Sequence, residues 1–247
     1  MLRTNRRPRL PEAIGAAGRW ITARVGTGDG RPPGLHFGSA GIAWALYEAG
    51  RTLDDDRLTA RGLAIATALP AASPNPDVTH GTAGVGMALL HLGRRAGRED
   101  LLRRAGESAD VLVRSVEDGP DGLIWATPAA FESRLAGGRY YGFAHGTAGV
   151  ATFLLATGRP DCVELARQAG EMLLATATLA DGVALWGSGP GDETTAPYWC
   201  HGSSGIGSFS PDCTPSPATT GSTSWPGCRL GPSWRTRGAG CSASATG

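Results

Sequence analysis

Tyr198-Trp199-Cys200-His201-Gly202 sets a thiol and an imidazole side by side, just ahead of a glycine. Cys200 is open to three readings: a zinc ligand, a nucleophile or a small buried thiol. The local string does not choose among them. Histidine followed by glycine recurs upstream, at His80-Gly81 and His145-Gly146, and Asp77 stands three residues before the first of these pairs. A carboxylate so placed could cap the helix that follows, and an imidazole at position 145 could bond a neighbouring turn.

A repeat carries these groups. "FGSAGIAWALYEAG" from Phe37, "HGTAGVGMALLHLG" from His80, "HGTAGVATFLLATG" from His145 and "HGSSGIGSFS" from His201 share Gly-x-x-Gly followed by Ile or Val. Apolar residues then recur at helical spacing, as in Ile42, Ala45, Leu46 and Ala49. Gly50, Gly93 and Gly158 sit where a left-handed residue would end a helix of two to three turns. Position 214, the fourth such place, holds Thr214. The paired glycines predict helix starts that approach a neighbour closely, with amide N–H groups left uncovered as an electropositive floor.

Longer polar helices are expected between these starts, over 54–69, 98–116 and 161–177. Another is expected over 11–25, with Ile14, Ala17, Ile21 and Val25 on one face. Short, small-residue inner helices alternating with charged outer ones predict an all-α chain, an incomplete α/α toroid over residues 10–209. His80 and His36 read as structural, and His91 and Cys162 carry no functional signal. Trp125, Tyr140 and Tyr141 suit either a substrate opening or the core.

The 247 residues carry a formal net charge of +1, and every cation is arginine. That balance gives no electrostatic case for nucleic acid or membrane binding. The basic segment 1–9, with Arg3, Arg6, Arg7 and Arg9, is followed by no apolar run. The expectation is therefore a cytoplasmic chain without a secretory signal or membrane span. Five cysteines at irregular spacing predict no disulfide framework. From Ser210 the helical period ends, and segment 210–247 turns to Ser, Thr, Pro and Gly, with Trp225, Trp234, Cys213, Cys228 and Cys241 among them. This composition predicts disorder, and its break with the repeat suggests a frameshift in a GC-rich gene.

With those strings in view ("GLHFGSAGIAWAL", "NPDVTHGTAGVGMALLHL", "YYGFAHGTAGVATFLL", "YWCHGSSGIG"), the chain resembles the lanthionine synthetase C-like cyclase family. Its flavour is that of the cyclase portion of multidomain lanthionine synthetases. The resemblance implies a zinc-centred α/α toroid. It also implies addition of a peptide cysteine thiol to dehydroalanine or dehydrobutyrine, forming a thioether ring. The implied partners are a dehydrated precursor peptide and kinase or lyase domains on other chains.

Carried onto this sequence, the resemblance makes Cys200 the first zinc ligand and places Asp77 in the active site. His145 becomes the proton donor or acceptor, and His201 the neighbour of the zinc cysteine. The remaining ligands would be a Cys-His pair, and Cys213, Cys228 and Cys241 are not followed by histidine. The expectation is thus a cyclase-like domain lacking two of three zinc ligands and the ring-forming activity that depends on them. The alternative is a zinc-free peptide-binding or scaffold module. A glycoside hydrolase would need two facing carboxylates, and the inner-helix starts offer only Asp77.

Overall fold

Each Gly-x-x-Gly string starts a helix: α2 (Ser39–Leu53), α4 (Thr82–Ala96), α6 (Thr147–Thr157) and the short α8 (Ser203–Gly207). The computed structural model describes residues 9–26, 30–180, 183–195 and 197–209. Arg3, Arg6 and Arg7, and everything from Ser210 on, including Cys213, Cys228 and Cys241, lie outside the described residues.

The N-caps are Gly38, Gly81, Gly146 and Gly202, none with a side chain to cap the helix. The loop ahead does that work. Ser39, Thr82 and Thr147 donate their N–H groups to the carbonyls of Pro32, Asn75 and Tyr140, each at 2.9 Å. Ala40, Ala83 and Ala148 bond Pro33, Pro76 and Tyr141 in the same way. Each loop therefore folds back beneath its helix by a fixed offset of seven residues. The second glycine leaves room for this: a Cβ at Gly41, Gly84, Gly149 or Gly205 would lie 2.0, 2.0, 1.9 or 1.9 Å from a loop carbonyl oxygen. The expected floor of uncovered amides is corrected accordingly. In the first three repeats the loop's own carbonyls occupy the first-turn N–H groups.

The outer helices are α1 (Leu10–Thr22), α3 (Asp56–Ala68), α5 (Glu99–Arg114) and α7 (Pro160–Ala175). Inner helices pack in chain order, α2 on α4, α4 on α6 and α6 on α8, while α3, α5 and α7 back α2, α4 and α6. The chain is predominantly helical, in two rows. Among the described residues, α1 and α2 make no substantial contact with α7 or α8, so the rows do not close into a ring. Enclosure explains the small residues of α4 and α6, which are buried on nearly all sides. Phe153 of α6 occupies the space above Gly86 of α4, where a Cβ would meet its ring at 2.2 Å. α5 shows the outer pattern: Leu101, Ala105, Ser108, Ala109 and Leu112 buried on one stripe, arginines and acids on the other.

Three expectations need revising. Gly50 and Gly93 lie inside α2 and α4, which run on to left-handed caps at Asp54 (φ 53°) and Gly97 (φ 64°). They are glycines because the next helix starts against them: a Cβ at Gly50 would meet Thr59 N at 2.5 Å, and one at Gly93 would meet Leu102 Cδ2 at 2.6 Å. Only Gly158 (φ 73°) ends its helix as expected. In α1 the buried positions are Gly15 and Gly18, Ala17 is exposed, and the helix stops three residues before Val25. Gly18 lets Leu58 of α3 sit close, at 2.8 Å from where a Cβ would be.

The chain is mostly helical, as expected, with a little sheet added. Two antiparallel hairpins, β1 (Glu117–Gly119) with β2 (Gly122–Ile124) and β3 (Thr178–Ala180) with β4 (Val183–Leu185), follow α5 and α7. Each delivers a buried tryptophan whose Nε1–H reaches back to an outer helix, Trp125 to Leu112 O at 2.8 Å and Trp186 to Leu173 O at 2.6 Å.

Two alanine substitutions separate packing from conformation. Gly149→Ala drives a Cβ into the Phe143 carbonyl and should cost about 4 kcal/mol or more. Gly158→Ala meets nothing within 4 Å and carries only left-handed strain, about 1 kcal/mol or roughly 3 °C in Tm. Thermal unfolding of both variants checks the ranking, and equal losses would refute it.

Candidate active site

The four folded-back loops meet at the N-terminal ends of the inner helices, joined by backbone hydrogen bonds. Leu35 and His36 donate to Val78 O and Thr79 O, both at 3.2 Å. Thr79 N–H reaches Ala144 O at 3.1 Å, with the Thr79 hydroxyl on the same oxygen at 3.0 Å. Ala144 N–H continues to Cys200 O at 3.2 Å. These bonds hold equivalent residues of successive repeats abreast.

The residue before each N-cap glycine is consequently stacked on its counterparts. Phe37 lies on His80 with ring centroids 5.4 Å apart and planes 8° from parallel. His80 lies on His145 at 5.3 Å, and His145 on His201 at 5.0 Å. Phe131 adds an edge contact to His80, and Tyr140 tilts against His201. The rim is apolar and open, with Phe37 66%, Tyr198 67% and Trp199 40% exposed. Trp199 meets His36 edge-on at 5.3 Å, bringing the first loop to the last.

Asp77 lies beneath this stack, its side chain 1% exposed. Its Oδ2 sits 2.9 Å from His145 Nδ1 and 3.1 Å from His80 Nδ1. Its Oδ1 accepts the His80 backbone N–H at 2.6 Å. Burial on its own would raise the carboxyl pKa. The bonds from His145, from the His80 ring and from the His80 N–H outweigh burial and hold it below the ordinary aspartate value. An ionised carboxylate only accepts, so both Nδ1 atoms carry hydrogen and each neutral ring keeps its lone pair on Nε2. Burial, then the charge on His145, lowers the His201 pKa, and His201 Nδ1 is buried without a partner. His36 is lowered for the same two reasons, with partial relief from Asp77.

The expected site residues therefore divide. Asp77 and His145 are in direct contact, and His201 stacks on His145. Cys200 is a free, half-buried thiol joined to them through its backbone carbonyl. His80 was set aside as structural, yet its Nδ1 points to the same carboxylate oxygen as His145. Its signal was register, since it precedes its glycine as His145 and His201 precede theirs. Trp125 and Tyr141 belong to the core, while Tyr140 reaches the stack. His91 stacks on Trp44 and bonds Glu48 at 2.6 Å, away from the site. A cavity of about 520 Å³ behind the second loop, lined by Pro74, Pro76, Thr127 and Arg139, includes none of these residues.

Asp77 Oδ2 and the two Nδ1 atoms lie within 4.8 Å of one another, near enough to share a metal ion. The same donors already satisfy one another as hydrogen bonds, so the cluster stands without an ion. Cys200 joins no group of three ligand atoms among the described residues. Its surroundings there do not fit a zinc site, which needs at least three protein ligands.

Replacing the carboxylate tests the hub. Asp77→Asn keeps one acceptor oxygen and puts an NH2 where the other stood, so it can serve the two rings or the His80 N–H but not both, and it should cost about 1–3 kcal/mol at neutral pH. The stability that ionised Asp77 supplies is present above its unfolded value of 3.8 and lost as pH falls through the lowered folded value. Chemical denaturation from pH 7 to pH 2 should show that acid limb in the native chain and a weaker one in the variant. Superimposable limbs would contradict it.

No described helix is long and apolar enough to cross a membrane. A search of curated proteins finds no match. The family model described as lanthionine synthetase C-like protein matches residues 25–209, which hold all four loops and the whole histidine stack. The chain belongs to the lanthionine synthetase C-like family.

Proposed function

We propose, against the loss of ring-forming activity that the two missing zinc ligands lead the sequence to predict, that this chain is a lanthionine synthetase-type cyclase domain acting on dehydrated peptides, with His145 as the group that protonates the enolate formed when a thiol adds to a dehydroamino acid. The observation that carries this reading is the 2.9 Å Asp77–His145 bond, made beneath an open aromatic rim. The carboxylate fixes the ring through Nδ1, leaving the Nε2 side of the protonated ring to meet a carbon that has gained an electron pair. Phe37, Tyr198 and Trp199 offer apolar surface to the peptide, and the small net charge of the chain suits a ligand held by shape and apolar contact. The dehydroamino acids come from an enzyme that activates Ser or Thr and eliminates the leaving group, the reaction class of kinase and lyase domains on other chains.

Zinc is associated with this family, and Cys200 holds the position the resemblance assigns to a ligand. Because the described neighbours of Cys200 do not complete a site, no step is assigned to a metal here. The isolation of Cys200 also favours a second reading, a zinc-free module that binds and presents the dehydrated peptide.

Elemental analysis of the purified chain beside Cys200→Ala is the first test. Well under one zinc per chain in both proteins is expected, whereas one zinc lost in the variant would return thiol activation to the metal. The second test uses a synthetic peptide with one dehydroalanine and one cysteine, followed by thiol alkylation and mass spectrometry. His145→Asn retains an N–H for Asp77 and should slow ring closure by about 100-fold or more while leaving peptide affinity unchanged. Binding with no closure in either protein would support the presenting module instead.

A further inference from the structure

The stack contains one more imidazole than a single proton donor requires, and its placement is specific. Both faces of His80 are covered, by Phe37 and by His145, and its Nδ1 is turned to Asp77. Phe131 meets the ring at 5.1 Å, the side chain stays 20% exposed, and among the described residues Nε2 has no hydrogen-bond partner. His145 is in the same position, with His80 and His201 on its faces, Nδ1 on Asp77 and 12% exposure. With both Nδ1 atoms on Asp77, the ring nitrogens left for a substrate are the two Nε2 atoms, on rings 5.3 Å apart and 23° from parallel.

We infer that His80 is a second catalytic residue, the general base that takes the proton of the attacking thiol, so that the His80–His145 pair closes thioether rings without a metal. This rests on the cyclase reading above. His80 Nε2 accepts the S–H proton as the S–Cβ bond forms, and the π pair of the dehydroamino acid moves to Cα. The Nε2–H of protonated His145 then delivers its proton to Cα, completing the thioether. One proton has entered the pair and one has left it, so its total charge is unchanged and no oxidant or reductant is consumed. Afterwards His80 is protonated and His145 neutral, and exchange with water resets them.

A single carboxylate suits this exchange. Asp77 carries one negative charge and touches both rings through one oxygen, so the same carboxylate orients the ring that takes a proton and the ring that gives one. The groups facing the pair from the other loops are His201, stacked on His145, and Phe37, stacked on His80. Sulfur and Cα are separated by a single carbon in the product, so a base for one and an acid for the other must sit adjacent, as these rings do. A free thiol is only a few per cent ionised near pH 7, and Cys200 has no described partners to hold a metal for that task.

His80→Asn tests the assignment, because an asparagine amide can replace Nδ1–H toward Asp77 but has nothing at Nε2. The probe is the same synthetic dehydroalanine–cysteine peptide, with the full chain stripped of metal by chelator and checked by elemental analysis. The native chain should close the ring well above the rate without protein. His80→Asn should lose about 100-fold with its Tm and peptide affinity retained, and added imidazole should recover part of the loss, which a structural role would not allow. Closure by the native chain only after zinc is supplied would overturn the inference and leave the cyclase reading standing. Metal-free closure undiminished in His80→Asn would overturn it as well. No closure with or without zinc overturns the cyclase reading, and the inference falls with it.

Discussion

The clamp between each loop and the helix it precedes is the constraint from which the rest of this architecture follows. A first-turn N–H bonded to a carbonyl seven residues earlier requires the chain to double back within a single turn of helix. That is possible only where the facing helical position lacks a Cβ. Once the loop is doubled back, the residue before the N-cap is held at the N-terminal end of its helix, beside its counterparts. Repeating the clamp at Pro32, Asn75 and Tyr140 presents the same position from successive helices, and packing α2, α4 and α6 in order brings those positions to stacking distance. The histidine stack is thus a consequence of backbone geometry before it is a feature of side-chain chemistry.

Much of this was legible because the repeat has a short period and a rigid signature. The outer helices α3, α5 and α7 lie where their charge patterns put them, to within two residues, and the inner starts follow from Gly-x-x-Gly. Less was legible where one residue type serves two purposes. Gly50 and Gly93 have the spacing of helix terminators, but contact with Thr59 and Leu102 is what excludes a side chain there, and a contact between helices leaves no local trace. In α1, Ile14, Ala17 and Ile21 mark the apolar face, yet Gly15 and Gly18 are buried because close approach to Leu53 of α2 and Leu58 of α3 outweighs side-chain burial. The two hairpins escaped notice because three-residue strands have no period to detect, although "DGLIW" and "DGVALW" repeat in sequence.

The site was half legible for a related reason. Asp77, His145, Cys200 and His201 were recognisable from the strings around them, and three of the four fall in or on the stack. His80 was passed over because its environment, unlike its register, does not appear in the sequence. Its bond to Asp77 spans only three residues, but its place beside His145 depends on Thr79 bonding Ala144, a contact 65 residues apart that sets the second loop against the third. Asp77 likewise had two readings, helix cap or site carboxylate. The structure combines them: one oxygen closes the local turn on the His80 N–H while the other serves both rings.

That division of labour explains why the carboxylate can be buried at all. An isolated buried aspartate would be forced toward its neutral form, and a neutral acid could not orient two imidazoles through one oxygen. Three donors converge on Asp77, and they offset its desolvation only because the loops that carry them are already fixed by the clamps beneath α4 and α6. Charge, tautomer and ring orientation are therefore set together. Cys200 stands apart from this economy. Its carbonyl is one step in the loop-to-loop hydrogen-bond chain, so position 200 has a structural task that any residue could perform, while its thiol belongs to no cluster of described ligands. The acid–base chemistry of this end of the bundle is built into the fold, whereas chemistry at Cys200 depends on what the described residues do not supply.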